Sequence, residues 1–241
     1  MDDLTTYLRQ QKSFKDHEPD EIAFIEQLKL RQVTLPAGKI IVQEGVTTSQ
    51  LYTLLDGWAY RHRTLKNGNR QILNFLFPGD LIGLQQNLLD NSSSSVQALT
   101  PVTLCELDRQ KLWQLYEHHP ALAYDITWLC AQEEQIVDDN LINVGARSGL
   151  EKVAMLLLHL YKRYKAIYPT PGKTIPFPLT QQEIADALGL SLAHTNKTLR
   201  KLEQLGLHSI RNNALTIYDE HMLASLTDYY HAPVKQRPLL C

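Results

Sequence analysis

The stretch from Gln181 to Arg200, QQEIADALGLSLAHTNKTLR, restricts the possible folds of this chain more than any other. Ile184, Ala185 and Leu188 recur at helical spacing on one face of a first helix, and small Ala185 lets a second helix cross closely. Gly189 supplies a tight turn, and Ser191 suits the N-cap of the helix that follows. That second helix buries Thr195, Leu199 and Leu202 on its inner side. Leu192, His194, Asn196, Lys197, Arg200 and Lys201 are left outward or towards its ends, with Ser191 and Ala193 at its start. An outward set of this kind suits a helix lying in a DNA groove. Asn pairs bidentately with adenine, Lys reaches guanine acceptors, and Arg or Lys neutralises phosphate.

Beyond Gly206, the sequence from His208 to Tyr218 places apolar residues alternately around Asn212-Asn213, which predicts a β-hairpin. Such a hairpin forms a wing beside the helix pair and carries Arg211 near a phosphate backbone. Charge supports the same reading. From Arg147 onward there are 12 Lys+Arg and 7 Asp+Glu, about +5, against about −7 for residues 1–146, although the whole chain is only −2. A basic part that binds nucleic acid, joined to an acidic part with another task, fits this asymmetry.

The rest of the chain reads as two further textures. Val33 to Asp108 consists of short apolar runs such as 39–42, 51–55 and 71–75. Turn residues separate them, at Pro36 to Gly38, Gly45, Asp56-Gly57, Asn67 to Asn69 and Pro78 to Asp80. Closely spaced strands of this kind predict an antiparallel barrel or roll over about 30–108. A short helix near Asp20 to Lys29 precedes it. After Pro120 a long helix carries Leu122, Ile126, Leu129, Glu133, Ile136, Asn140 and Val144 at alternating steps of four and three. This spacing predicts a seam against a partner helix, with packing on the chain's own barrel as the alternative. About 24 residues would span roughly 36 Å. Gly145 to Ser148 reads as a hinge, Leu150 to about Ala166 as an apolar core helix, and Tyr168 to Pro178 as a Pro-rich connection. The expected domains are 1–118, a sensor β-roll; 119–146, a dimerisation helix; 147–230, the DNA-binding part; and 231–241, a tail.

With 44% hydrophobic and 21% charged residues, the chain has the composition of an ordinary globular protein. No run reaches the roughly 18 apolar residues of a membrane span, and the acidic start lacks a secretory signal, so a cytoplasmic location is expected. Cys105, Cys130 and Cys241 are dispersed and odd in number, which argues for thiols rather than a disulfide framework or zinc site. No phosphate loop, G-x-S-x-G elbow or H-E-x-x-H motif is present, so an enzyme is not expected. His62 or His118 could ligate haem, yet a surface role is the more ordinary one. The pair His118-His119 lacks further metal ligands. Neither cofactor nor metal is expected.

The ordered set resembles the Crp/Fnr family, the regulators named for the cyclic-AMP receptor protein and the fumarate-nitrate reduction regulator. LYTLLDGWAY and FPGDLIGL resemble its sensor domain, the seam helix its dimerisation helix, and LTQQEIADALGLSLAHTNKTLRKLEQLGL its winged helix-turn-helix, together covering roughly 30–220. The resemblance implies an α+β chain: a cyclic-nucleotide-binding-type antiparallel β-roll, a long dimerisation helix and a C-terminal winged helix-turn-helix. It implies a homodimer on a near-palindromic operator, with RNA polymerase as a further partner, and it assigns Thr180 and Gln182 to phosphate contact. Ala193, Asn196 and Lys197 stand where many members carry Glu and then Ser-Arg or Gly-Arg, so the common half-site of the family does not carry over.

In members that bind cyclic AMP, a Gly-Glu pair holds the ribose and an Arg-Ser or Arg-Thr pair the phosphate. Here Leu84 follows Gly83, and Ser92 to Ser95 contains no arginine, so a buried phosphate would lie unpaired. An iron–sulfur cluster is excluded by the lack of Cys in residues 1–104. Two readings stay open. The roll binds another small molecule near Leu81, Ile82, Gly83, Leu84, Ser92 and Ser93, or its pocket is vestigial and activity follows abundance, partner contacts or cysteine oxidation. The alternative function is a regulatory module of cyclic-nucleotide type that acts through protein contacts.

Overall fold

The computed structural model describes residues 2–46, 50–85, 92–169, 171–227, 229 and 236–241. The chain divides into two compact units: Met1–Arg63, Asn74–Ile136 and Lys235–Cys241 form the first, and Thr64–Leu73 and Val137–Val234 the second.

In the first unit, helices α1 (Asp2–Arg9) and α2 (Pro19–Leu28) precede the strands. Helix α2 starts at a capping box in which the Glu18 backbone N–H donates to Glu21. The strands are β1 (Lys29–Leu35), β2 (Ile40–Val42), β3 (Leu51–Asp56), β4 (Ala59–Thr64), β5 (Arg70–Leu76), β6 (Leu81–Ile82), β7 (Ser95–Ala98) and β8 (Val102–Leu107). They make two four-stranded sheets with orders β1-β8-β3-β6 and β2-β7-β4-β5. Except for the consecutive pair β4 and β5, which neighbour each other in one sheet, successive strands alternate between sheets, and the ladders are antiparallel, so this is the roll that the turn punctuation requires. Leu54, Ile82, Leu104, Val96, Ala98 and Tyr52 interleave between the sheets as the core. Gly79 adopts φ +90° in the turn after β5, where a Cβ would strike the Phe14 ring.

After a 3-10 turn, Arg109–Lys111, come α3 (Leu112–His118) and the long α4 (Pro120–Ala146). At 27 residues α4 is about 40 Å long. Its first part, to Ile136, belongs to the first unit and its remainder to the second.

The second unit contains α5 (Gly149–Ile167), β9 (Thr174–Pro176), α6 (Gln181–Leu188), α7 (Leu192–Gln204), β10 (His208–Arg211), β11 (Ala214–Ile217) and α8 (Glu220–Thr227). Ser148 caps α5 by accepting from the Glu151 N–H, and Val153, Ala154, Leu157, Leu158 and Leu160 bury its apolar face. The segment expected to be only a Pro-rich connection also forms a strand, β9, at the edge of the sheet β10-β11-β9. An edge position tolerates Pro176 because one side of that strand needs no ladder donor. Residues 64–73 also belong to this unit, through Arg70 pairing with Asp186 at 2.7 Å and the Asn140 side chain donating to the Leu73 carbonyl.

Candidate nucleic-acid interface and sensor cavity

The helix pair α6–α7 is built from local capping. Thr180 accepts from the Glu183 N–H, and the Glu183 carboxylate accepts from the Thr180 N–H at 2.7 Å, so two orphan donors are satisfied at once. Gly189 ends α6 in the left-handed region at φ +62°, as the turn requires. Ser191 then caps α7, accepting from the His194 N–H at 3.2 Å. Ile184, Ala185 and Leu188 of α6 meet Thr195, Leu199 and Leu202 of α7 as buried residues.

Ala193, His194, Lys197, Arg200 and Lys201 lie exposed along one face of α7, with Leu192 exposed at its start. No ion pair among the described residues engages Lys197, Arg200 or Lys201, so their charges face solvent. Asn196 departs from the outward set. It lies on the flank shared with Leu199 and Glu203, half-buried, with its side-chain oxygen buried and without a hydrogen-bond partner among the described residues. At 100° per residue, Asn196 follows Leu199 towards α6, whereas Lys197 follows Ala193 and Lys201 outward. Thr198, not assigned from the sequence, is buried as well.

The wing is present as β10 and β11, with Asn212 and Asn213 at φ 50° and 55°, the two left-handed residues of a type I′ turn. Arg211 does not stand alone there: it pairs with Glu203 at 2.6 Å. Thr180 and Gln182 are exposed at the start of α6, and the Gln182 amide donates to Asp186. His208 at the base of the wing is buried, and desolvation lowers its pKa, opposed by the Glu203 charge.

The expected seam of α4 takes a different course. Leu122, Ile126, Leu129 and Ile136 are buried within their own chain. Glu133 pairs with the buried Arg61 at 2.9 Å. Asn140 is held by the Leu73 carbonyl, and Val144 is half-buried. The alternative weighed from sequence, packing on the chain's own barrel, fits Leu122, Ile126, Leu129, Glu133 and Ile136, which belong to the roll's unit, while Asn140 and Val144 belong to the second unit. The face left to solvent carries Tyr124, Ala131, Gln135, Asp138, Ile142 and Gly145, with half-buried Trp128 between. It repeats at the same steps of four and three, displaced around the helix. Asp125, on the buried face, accepts from Lys15 and His17. Burial raises its pKa, and those hydrogen bonds and charges outweigh the burial to lower it.

In the first unit a cavity of about 30 Å3 is lined by Leu76, Asp80, Leu81, Leu84, Leu129 and Arg237 among others. That is room for about two waters and far from room for a nucleotide. Of the expected pocket residues, Leu81 and Leu84 reach this cavity. Ile82 belongs to the core and Gly83 takes φ +98°. The Ser92 hydroxyl bonds the Ser94 carbonyl within the serine run, while Ser93 is exposed. The Ser95 hydroxyl accepts from the Glu44 N–H.

Arg237 was not found from the sequence. It comes from a segment expected to be a plain tail, of which residues 231–235 lie outside the described residues. The expectation of free thiols is also corrected. Cys105 and Cys241 are joined as a disulfide across a sequence separation of 136, which no local pattern reveals, while Cys130 is free and exposed. The one available signal was the apolar Leu239-Leu240-Cys241 ending of that segment.

A cyclic-nucleotide-type roll, a long helix and a basic winged helix-turn-helix together define a DNA-binding type of transcription regulator. Family models agree in both parts: a cyclic nucleotide-binding domain matches residues 32–119 and a Crp-like helix-turn-helix domain matches residues 151–226. The chain belongs to the Crp/Fnr family of transcription regulators. It is 31% identical over 196 residues to the nitrogen fixation regulation protein FixK of Bradyrhizobium diazoefficiens, covering 81% of each chain. It is 28% identical over 179 residues to the transcriptional activatory protein AadR of Rhodopseudomonas palustris, covering 74% of each. The structure of FixK2 from Bradyrhizobium japonicum shares the fold at a TM-score of 0.74 and 20% identity, covering 84% of this chain and 98% of that one. Among the described residues, no helix is long and apolar enough to cross a membrane, and no group of His, Cys, Asp or Glu is arranged to hold a metal.

Proposed function

We propose that this chain is a cytoplasmic, non-enzymatic regulator that binds a near-palindromic operator sequence-specifically as a homodimer. The observation that carries this reading is the solvent-facing cationic strip Lys197, Arg200 and Lys201 on a helix whose opposite face is buried. In a dimer the two copies of α7 enter successive major grooves about 34 to 36 Å apart. Lys197 reads a base edge. Arg200, Lys201, Thr180 and Gln182 contact phosphates, and Ser191, Leu192, Ala193 and His194 at the start of α7 lie nearest the groove floor. Asn196 contributes by fixing the flank of α7 against α6 unless DNA draws it out. Arg211 reaches a phosphate by exchanging Glu203 for it.

Two chains pair through the solvent face of α4, from Tyr124 through Trp128, Ala131, Gln135 and Asp138 to Ile142 and Gly145. Cyclic AMP is not the effector. The cavity is too small, Leu84 replaces a ribose acceptor, and buried Arg61 is already neutralised by Glu133. RNA polymerase is the further partner.

The deciding experiment selects bound duplexes from a random pool and measures affinity against salt. A palindromic consensus, with log K falling steeply against log salt, supports the proposal. Binding without preference for any duplex, or a monomer in solution, overturns it.

A further inference from the structure

We propose that Cys105 and Cys241 form a thiol–disulfide exchange site for low-molecular-weight thiols and disulfides, and that their bond fastens the 236–241 segment onto the roll. The segment is seated by specific contacts. The Arg237 N–H donates to the Ser13 carbonyl at 2.8 Å and the Lys15 N–H to the Arg237 carbonyl at 2.9 Å, a short parallel bridge beside Phe14. The Arg237 guanidinium pairs with Asp80 at 2.5 Å and donates to the Gly79 carbonyl at 3.2 Å. Thr53 donates to the Leu240 carbonyl at 2.6 Å, and Arg9 to the Cys241 carbonyl at 2.9 Å. Leu239, Leu240 and Cys241 are buried. Cys105 sits on β8, the inner strand between β1 and β3, and the Cα atoms of the pair lie 6.5 Å apart, a separation that a disulfide spans.

Two features distinguish this pair from a static staple. A cavity of about 160 Å3, walled by Glu26, Lys29, Arg31 and Gln32, opens onto both cysteines. Its mixed charges and polar walls suit a zwitterionic thiol of the glutathione type. Arg237 also lines the small cavity beside Leu81 and Leu84, so release of the segment removes one wall of the sensor site. On the regulator reading above, the protein works in a reducing compartment, where lasting disulfides are rare and those present are usually redox-sensing or catalytic.

In the oxidising direction the Cys241 thiolate attacks one sulfur of a small disulfide and expels one small thiolate. The Cys105 thiolate then attacks the Cys241 sulfur of the mixed disulfide and expels the second. Two electrons pass from the protein pair to the small disulfide, and the two thiol protons leave with the released thiolates. Reduction by two small thiols reverses both steps.

The test equilibrates the full chain in buffers of varied oxidised to reduced glutathione ratio, then alkylates, maps peptides without reduction, and measures amide exchange. The expected result is a Cys105–Cys241 cross-linked peptide that grows with the ratio, with exchange at 237–241 at least tenfold faster when reduced. The variants C105S and C241S should stay in the fast regime at every ratio, and C130S should follow the parent chain. Should either serine variant fail to fold, the reduced parent chain supplies the same comparison. Complete alkylation of both cysteines even in oxidised glutathione, or equal exchange in both states, overturns the proposal. Operator binding is measured on the same samples. Its absence in both states counts against the regulator reading and leaves the cross-link result standing.

Discussion

The helix pair with its wing and the cavity beside Asp80 are assembled over very different stretches of chain. The helix pair and wing draw their parts from Thr180 to Ile217, and each capping contact there joins residues three apart. The cavity is walled by residues from Asn74 to Ile136 and by Arg237, whose ion pair with Asp80 spans 157 positions. Sites made by near neighbours are fixed by local chemistry. Sites made by distant ones depend on which surfaces the folded chain brings together, and in this molecule that difference separates the capped helix pair from a cavity walled in part by Arg237.

Predictions follow from this contrast. Its strongest break is C241S, expected to cost the first unit about 2 to 4 kcal/mol in denaturant unfolding while leaving the second unit's transition in place. An equal loss in both transitions would erase the distinction between a long-range closure and a local site. Lys197→Ala should weaken specific operator binding by about 1 to 3 kcal/mol and relax one position, with the folding transition unmoved; comparison of consensus and random duplexes checks it.

A pH titration sharpens the comparison further. Among the described residues the Nε2 of His159 on α5 is buried without a partner, and desolvation, with the Arg163 charge second, lowers its pKa to about 3. The unfolded ring takes up a proton near 6.5, so the folded second unit binds fewer protons below that pH. Its stability is complete above about 6.5 and falls as pH drops towards 3, at up to about 1.4 kcal/mol per pH unit. Thermal unfolding from pH 7 to 5 should show that slope, and His159→Gln should reduce it, the buried His208 of the same unit supplying what remains.

Thr180→Ala removes the cap of α6 and should cost about 1 kcal/mol, read as a lower midpoint of the second unit in urea. The smallest effect belongs to Arg211→Ala. The exposed pair with Glu203 contributes at most about 1 kcal/mol to folding, so the variant should unfold almost as the parent chain does while binding every duplex less tightly. A base-specific loss would move Arg211 from backbone contact to reading.

The outer face of α4 and the segment 236–241 show where sequence reading stopped. Leu122, Ile126 and Leu129 at steps of four and three fit a seam against any partner. Two such stripes coexist on this helix, and only the packed roll decides which one is used within the chain. The turn glycines, the caps at Thr180, Ser148 and Ser191, and the Asn212-Asn213 turn were legible because each satisfies a backbone demand within a few residues. Asn196 was misplaced by counting polarity alone, since a quarter-turn along the helix moved it onto the α6 flank. Strand β9 was missed because two prolines disguised an edge strand.

The amino-acid sequence by itself determined the order of roll, long helix and winged helix pair, because hydrophobic period, turn residues and caps act over distances shorter than one element. Which face of α4 remains open, what fills the space beside Asp80, and whether Cys105 meets Cys241 were decided only by the tertiary structure. Those outcomes depend on contacts between residues far apart in the chain, 67 positions for Asn140 and Leu73, 136 for the two cysteines and 157 for Asp80 and Arg237, whose pairing no local period encodes.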